Sequence, residues 1–148
     1  MFLIVDFKPE DILHIDIRPE QYDILDAVDN LQEYGVLLAN TYNPKTVIYN
    51  HKILMIAGIA PLNKHVGEGY FILSKDFEND FKTIGITLSK EIRRYIDQAD
   101  FIRVQCTCRK DYPKAQRFVE FFGFKSESVM EKASTNGTDL IMYKRIKN

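Results

Sequence analysis

Residues 101–124 read FIRVQCTCRKDYPKAQRFVEFFGF. The first part alternates: Ile102, Val104, Cys106 and Cys108 fall on one side of an extended chain, and Phe101, Arg103, Gln105 and Thr107 on the other. A strand over Phe101–Cys108 is the reading. The period then changes. Asp111 suits a helix N-cap and Pro113 the first turn, where its missing N–H costs nothing. Ala115, Phe118 and Phe122 recur at helical spacing, and Gly123 stops the helix in a left-handed conformation.

The residues on either side of this unit place it in a longer pattern. The 148 residues suggest one domain, 1–148, long enough for a sizeable core. A composition of 45% hydrophobic and 28% charged residues is that of an ordinary soluble globular chain. The net charge of −1 gives no nucleic-acid footprint. Met1–Val5 is too short an apolar run for a signal peptide or membrane span, so the expectation is a cytoplasmic protein without a membrane partner. Cys106 and Cys108, two apart on a strand, read as reduced and buried, and two ligands do not make a metal site. The histidines at 14, 51 and 65 form no nucleophile–base arrangement in sequence order, so Cys108 gains no partner as a nucleophile.

Upstream, Phe2–Phe7 is β-prone but Pro9 interrupts it. Ile12–Arg18 alternates and reads as the first full strand. Pro19-Glu20 opens a helix whose stripe is Ile24, Leu25, Val28 and Leu31, Gly35 breaks it, and Val36–Tyr42 is a second helical piece. Asn43-Pro44 signals a turn. Thr46–Asn50 and Lys52–Ala60 read as a hairpin with a tight turn at Asn50-His51, its second strand buried on both faces. Pro61–Gly69 reads as a loop and Tyr70–Ser74 as the next strand. Phe77, Phe81, Ile84, Leu88, Ile92 and Ile96 then form the apolar stripe of a long helix within Lys75–Gln98. After Phe124 a weakly alternating stretch leads to a hairpin turn at Asn136-Gly137 and a last strand, Leu140–Ile146.

AQRFVEFFGFK, with the strand before it, resembles the C-terminal signature of the GNAT superfamily of acyl-CoA-dependent N-acyltransferases. More narrowly, FIRVQCTCRKDYPKAQRFVEFFGF followed by GTDLIMYKR resembles GNAT-like proteins of tailed bacteriophages, some of them internal virion proteins. The resemblance implies a mixed α/β sheet in the order β-α-α-β-β-β-α-β-α-β-β, with helices on both faces. It implies acetyl-CoA or another acyl-CoA as co-substrate, without a metal, and an amine as acceptor. In the family the fourth and fifth strands splay, and backbone groups of the fourth, here at Leu73, receive the pantetheine arm.

The family's pyrophosphate loop, Q/R-x-x-G-x-G/A, corresponds to Lys82-Thr83-Ile84-Gly85-Ile86-Thr87. Lys82, Gly85 and Thr87 are thus the candidate cofactor-binding residues, with only Gly85 a strict match. The apolar stripe runs through these residues from Phe77, so they also read as a helix beginning near Asp76 with no phosphate loop. Glu68 corresponds to the carboxylate that takes the amine's proton; the plain alternative is a surface glutamate. The tyrosine that often protonates the leaving thiolate aligns with Val119, which cannot donate a proton. Tyr112 stands at the other end of that helix and is the remaining hydroxyl candidate. A catalytically silent GNAT-fold protein with a structural, virion or host-interaction role is the second reading, and a protein partner or homo-oligomer stays open.

Overall fold

The computed structural model describes residues 2–22 and 28–147. Among the described residues seven strands hydrogen-bond in the order β1-β2-β3-β4-β5-β7-β6. They are β1 (Phe2–Asp6), β2 (Tyr42–Tyr49), β3 (Lys52–Pro61), β4 (Val66–Leu73), β5 (Arg103–Arg109), β6 (Lys125–Met130) and β7 (Leu140–Ile146). Four helices accompany them among the described residues: α1 (Asp11–His14), α2 (Leu31–Ala39), α3 (Phe77–Gln98) and α4 (Pro113–Phe121). The order of elements is the expected one, in a mixed α/β fold. The chain divides into two compact units, Met1–Ala60 with Tyr70–Gly85, and Pro61–Gly69 with Ile86–Asn148.

In the first unit β1, β2 and β3 form an antiparallel meander. Asn50 and His51 both adopt positive φ, 51° and 64°, which matches the twist of a two-residue hairpin. Residues Leu54 to Ile59 of β3 are buried without a break, as expected for a strand covered on both faces. The core beneath joins Phe7, Ile12, Ile15, Ile17, Leu38, Ile56 and Ile72.

Four expectations for this unit are corrected. The first strand is Phe2–Asp6, not Ile12–Arg18. Asp11 accepts hydrogen bonds from the Lys8 N–H at 3.0 Å and the Thr46 hydroxyl at 2.8 Å, which folds residues 8–14 into a turn and the short α1. The alternation at Ile15 and Ile17 is real burial against the sheet, but among the described residues the backbone of that segment bridges to it only as an isolated pair, Ile17 to Ser74. Pro19–Gln21 is a 3-10 turn, and the expected stripe at Ile24 and Leu25 lies outside the described residues. Gly35 does not break a helix. It sits inside α2, which starts at the Asn30 N-cap, whose side chain accepts the Glu33 N–H at 3.1 Å. The Asn43-Pro44 signal is a bulge within β2, with Asn43 at φ 41°.

In the second unit the first residues of β4 pair in parallel with β5, with Val66, Gly67 and Glu68 against Arg103, Val104 and Gln105. Strand β4 therefore begins at Val66, inside the stretch that reads as a loop from composition. β5 pairs antiparallel with β7 over seven residues, and β7 with β6. Val104, Cys106 and Cys108 are buried, whereas Ile102 precedes the strand and is exposed. Tyr112, not Asp111, is the N-cap of α4, because Asp111 is held by Arg109. Gly123 has φ 92° and the Phe124 N–H returns to the Val119 carbonyl at 3.0 Å, closing the helix as the Gly-Phe exit implied.

Candidate functional site

The end of β4 and the start of α3 are the elements on which a ligand of this fold family would depend, and both lie in the first unit. At the end of β4 the backbone is already engaged. The Gln21 side chain donates to the Phe71 carbonyl at 2.8 Å and accepts the Leu73 N–H at 2.8 Å. The Leu73 carbonyl takes the Arg18 N–H at 3.0 Å. The next two N–H groups, of Ser74 and Lys75, go to the carbonyls of Leu54 and Asp16. Gln21 thus bonds to β4 as the edge of a neighbouring strand would. It can do so because Pro19 starts a tight turn that aims the Gln21 amide at the strand.

Helix α3 begins at Phe77, eight positions before Gly85. Lys82, Gly85 and Thr87 are therefore inside a helix rather than in a loop before one, and helix-interior N–H groups are committed to carbonyls four residues back. Gly85 has a packing role. A Cβ there would meet the Phe81 ring at 2.9 Å. That ring in turn stacks on Phe77, with centroids 5.3 Å apart. Phe77 is wholly buried, and Lys82 and Thr87 are exposed. The first turn of α3 carries Glu78 and Asp80, directly after Asp76. Glu78 forms an ion pair with Arg18, which is itself buried and also meets Glu20 at 3.4 Å. Carboxylates suit the positive end of a helix, and here they already occupy it.

Glu68 and Tyr112 belong to the second unit, and the fold does not bring them together. Glu68 is opposite Gln105 near the start of β5, while Tyr112 follows Arg109 beyond its end. The four residues from Gln105 to Arg109 span about 13 Å of strand. Tyr112 is half-buried and does not cap α4 with its side chain. Glu68 is the more unusual group. One carboxylate oxygen, Oε2, is buried and has no hydrogen-bond partner. Burial pushes its pKa up, against the opposing effects of a hydrogen bond with Gln105 and the charge of Arg103. Gln105 also accepts from the Arg103 Nε at 2.8 Å, and Arg103 is paired with Glu127 on β6. A polar chain therefore runs from Glu68 across β5 to β6. The thiols offer less. Hydrogen bonding with Cys108, then burial, push the Cys106 thiol well up, so it stays a thiol and not a nucleophile.

A pH prediction follows for Glu68. Its folded-state pKa is above its unfolded value, so the native state binds the proton more tightly and stability falls as pH rises through that interval. Glu68→Gln is expected to be more stable than the parent near neutral pH, and the gap is expected to close below the ordinary carboxylate range. Urea titrations at several pH values measure this; a gap independent of pH would remove the titration of Glu68 as its cause.

No family model and no curated protein matches this sequence. Solved structures do. A GNAT-family acetyltransferase from Streptococcus pneumoniae superposes with a TM-score of 0.72 at 19% identity, covering 100% of both chains. Ard1 from Thermoplasma volcanium gives 0.77 at 14%, covering 99% of this chain and 98% of its own. This is the GNAT fold. The self-immunity acetyltransferase MccE, solved with acetyl-CoA and AMP, gives 0.71 at 17% over 99% and 92%.

The GNAT fold implies an acyl-CoA, and the residues present can be tested against one. A pantetheine arm needs open backbone groups along β4, and Gln21 and Arg18 have closed those of Phe71 and Leu73. A diphosphate needs N–H groups and positive charge at the start of α3. That end instead carries Asp76, Asp80 and Glu78, the last already paired with Arg18. Unit charges about 4 Å apart repel by roughly 1 kcal/mol in water and several-fold more near a protein surface. The residues at these two positions do not fit acyl-CoA. Sequence reasoning missed Gln21, whose type carries no motif. The acidic run at 76–80 was the legible signal, since it is the wrong charge for a phosphate loop.

Among the described residues no helix is long and apolar enough to cross a membrane.

Proposed function

We propose that this chain is a GNAT-fold protein that acts through macromolecular contacts and not as an acyl-CoA-dependent transferase. One observation carries the reading: the Gln21 carboxamide closes the backbone of β4 at Phe71 and Leu73. The acidic start of α3 agrees with it, since a chain that fills the cofactor's positions with its own side chains keeps the fold for its stability and surface. The resemblance of Phe101–Phe124 to GNAT-like phage proteins suits a structural, virion or host-interaction role.

The deciding experiment is a thermal-shift titration with acetyl-CoA and with free CoA. A ligand at about 100 times its dissociation constant would add roughly 2.7 kcal/mol of stability. The expected result is no shift with either at millimolar concentration. Gln21→Ala removes both contacts to β4 and is expected to destabilise the protein by about 1–3 kcal/mol, two hydrogen bonds' worth. If the parent shows a saturable shift, this reading is wrong.

A second reading, N-acyl transfer from acyl-CoA to an amine, is favoured by Glu68 alone, whose orphaned Oε2 and raised pKa suit a general base. It requires the thermal shift that the first reading forbids, together with loss of acyl transfer, but not of binding, in Glu68→Gln.

A further inference from the structure

The net charge of −1 conceals two opposite charges. Residues 1–60 and 70–85 contain six Lys and Arg against twelve Asp and Glu; residues 61–69 and 86–148 contain fourteen against nine. The first unit is thus at −6 and the second at +5. An imbalance of this size between two parts of one small chain bears on association, not on fold.

Part of each excess lies on a helical surface that also exposes apolar side chains. In the second unit Lys90, Arg93 and Arg94 share the outer face of α3 with Ile86, and Lys114 and Arg117 share that of α4 with Phe121, all of them exposed. The Arg93 guanidinium donates twice to the Phe121 carbonyl, at 2.9 and 2.6 Å, which joins the two faces into one surface. Asp97 on the same face of α3 is taken by Arg145 and Glu91 by Arg94, and Glu120 is exposed on α4, so the surface keeps a positive excess smaller than its five cations. Ile86 and Phe121 are 76% and 51% exposed. In the first unit α1 packs against α2, and their outer side presents Glu10, Asp29 and Glu33 with Leu13, Val36 and Leu37, again all exposed. Leu37 is 66% exposed, although its neighbour Leu38 is in the core.

We propose that each surface is the docking site for the other on a second copy of this chain, the acidic α1–α2 side of one molecule seating on the basic α3–α4 side of the next. An acidic peptide or a nucleic acid would account for the basic surface and leave the acidic one unexplained; a second copy uses both. The contact is heterologous, and it either closes on itself or continues as a chain of copies. It gives the interaction reading above a partner.

Sedimentation velocity across a salt series tests this. Self-association is expected at about 0.01 M salt, where the Debye length is near 30 Å, and is expected to be lost toward 1 M, where it is near 3 Å. Two charge-reversed proteins carry the sharper test. Arg94→Glu with Arg117→Glu removes the positive excess of the basic surface; Glu10→Lys with Glu33→Lys takes the acidic surface from three negative charges to one positive. Each alone is expected to stay monomeric at low salt, and an equimolar mixture is expected to form a one-to-one pair through the intact surface of each. These positions are exposed, so unchanged thermal midpoints are the control for folding. A parent protein monomeric at low salt, association that survives both reversals, or a mixture that stays monomeric would each overturn the proposal. So would loss of association by the basic-surface reversal alone, which would point to a foreign acidic partner. Failure here with acyl-CoA still unbound would remove this partner and leave the preceding reading standing; a shift with acyl-CoA would do the opposite.

Discussion

Phe77→Ala is expected to destabilise the protein by about 3–5 kcal/mol, the range for truncating a fully buried aromatic. For a chain of this size that is a fall in Tm of roughly 10 °C. Phe77 is wholly buried and stacked on Phe81, and Phe81 lies where only a glycine at 85 leaves room for its ring. The substitution therefore opens a cavity at the first turn of α3 and removes the support of the second aromatic. The size of the effect decides a functional question. Were Lys82–Thr87 a phosphate loop with α3 beginning after it, residue 77 would lie outside the helix, in the segment before that loop, and its truncation would cost less than about 0.5 kcal/mol, as surface changes do. Denaturant unfolding of the single variant distinguishes the two.

Gly35→Ala is expected to destabilise as well, by about 1–3 kcal/mol, against the sign that helix propensity gives. Alanine in place of glycine within a helix is ordinarily worth about 1 kcal/mol of added stability. Here the new Cβ would stand 2.2 Å from the Pro9 carbonyl oxygen and 3.0 Å from Ile12. The first of these is backbone and cannot rotate aside, so α2 must move away from the turn that leads into α1, and overpacking of this kind costs more than the propensity returns. Urea midpoints of parent and variant measure the difference. A variant more stable than the parent would mean that the close approach of Pro9 to α2 does not exist in solution. The same close approach builds the α1–α2 side proposed to meet a second copy, so this variant is also expected to weaken self-association at low salt.

Much of the second unit was legible because its signals are local. The alternation of Val104, Cys106 and Cys108, the Pro113 start and the Gly123 stop each act within a few residues, and each survives in the structure. The first unit was harder to read. Ile12–Arg18 has the alternation of a strand, yet Asp11 ties it to Lys8 and to Thr46, thirty-five residues away, and no sequence pattern announces such a bond. Gly35 looks like a stop and is a point of close packing, because what a glycine permits depends on what lies beside it.

The site divides along the same line. The order of elements, the long apolar stripe of α3 and the acids at 76–80 are properties of the chain alone, as is the opposition of charge between its two parts. Periodicity selects helix or strand, and charge adds up regardless of fold. Which backbone groups remain open was settled only in three dimensions. A strand's N–H and C=O groups have no residue type, so their availability at Phe71 and Leu73 depended on Gln21 and Arg18, about fifty residues away along the chain, reaching them first.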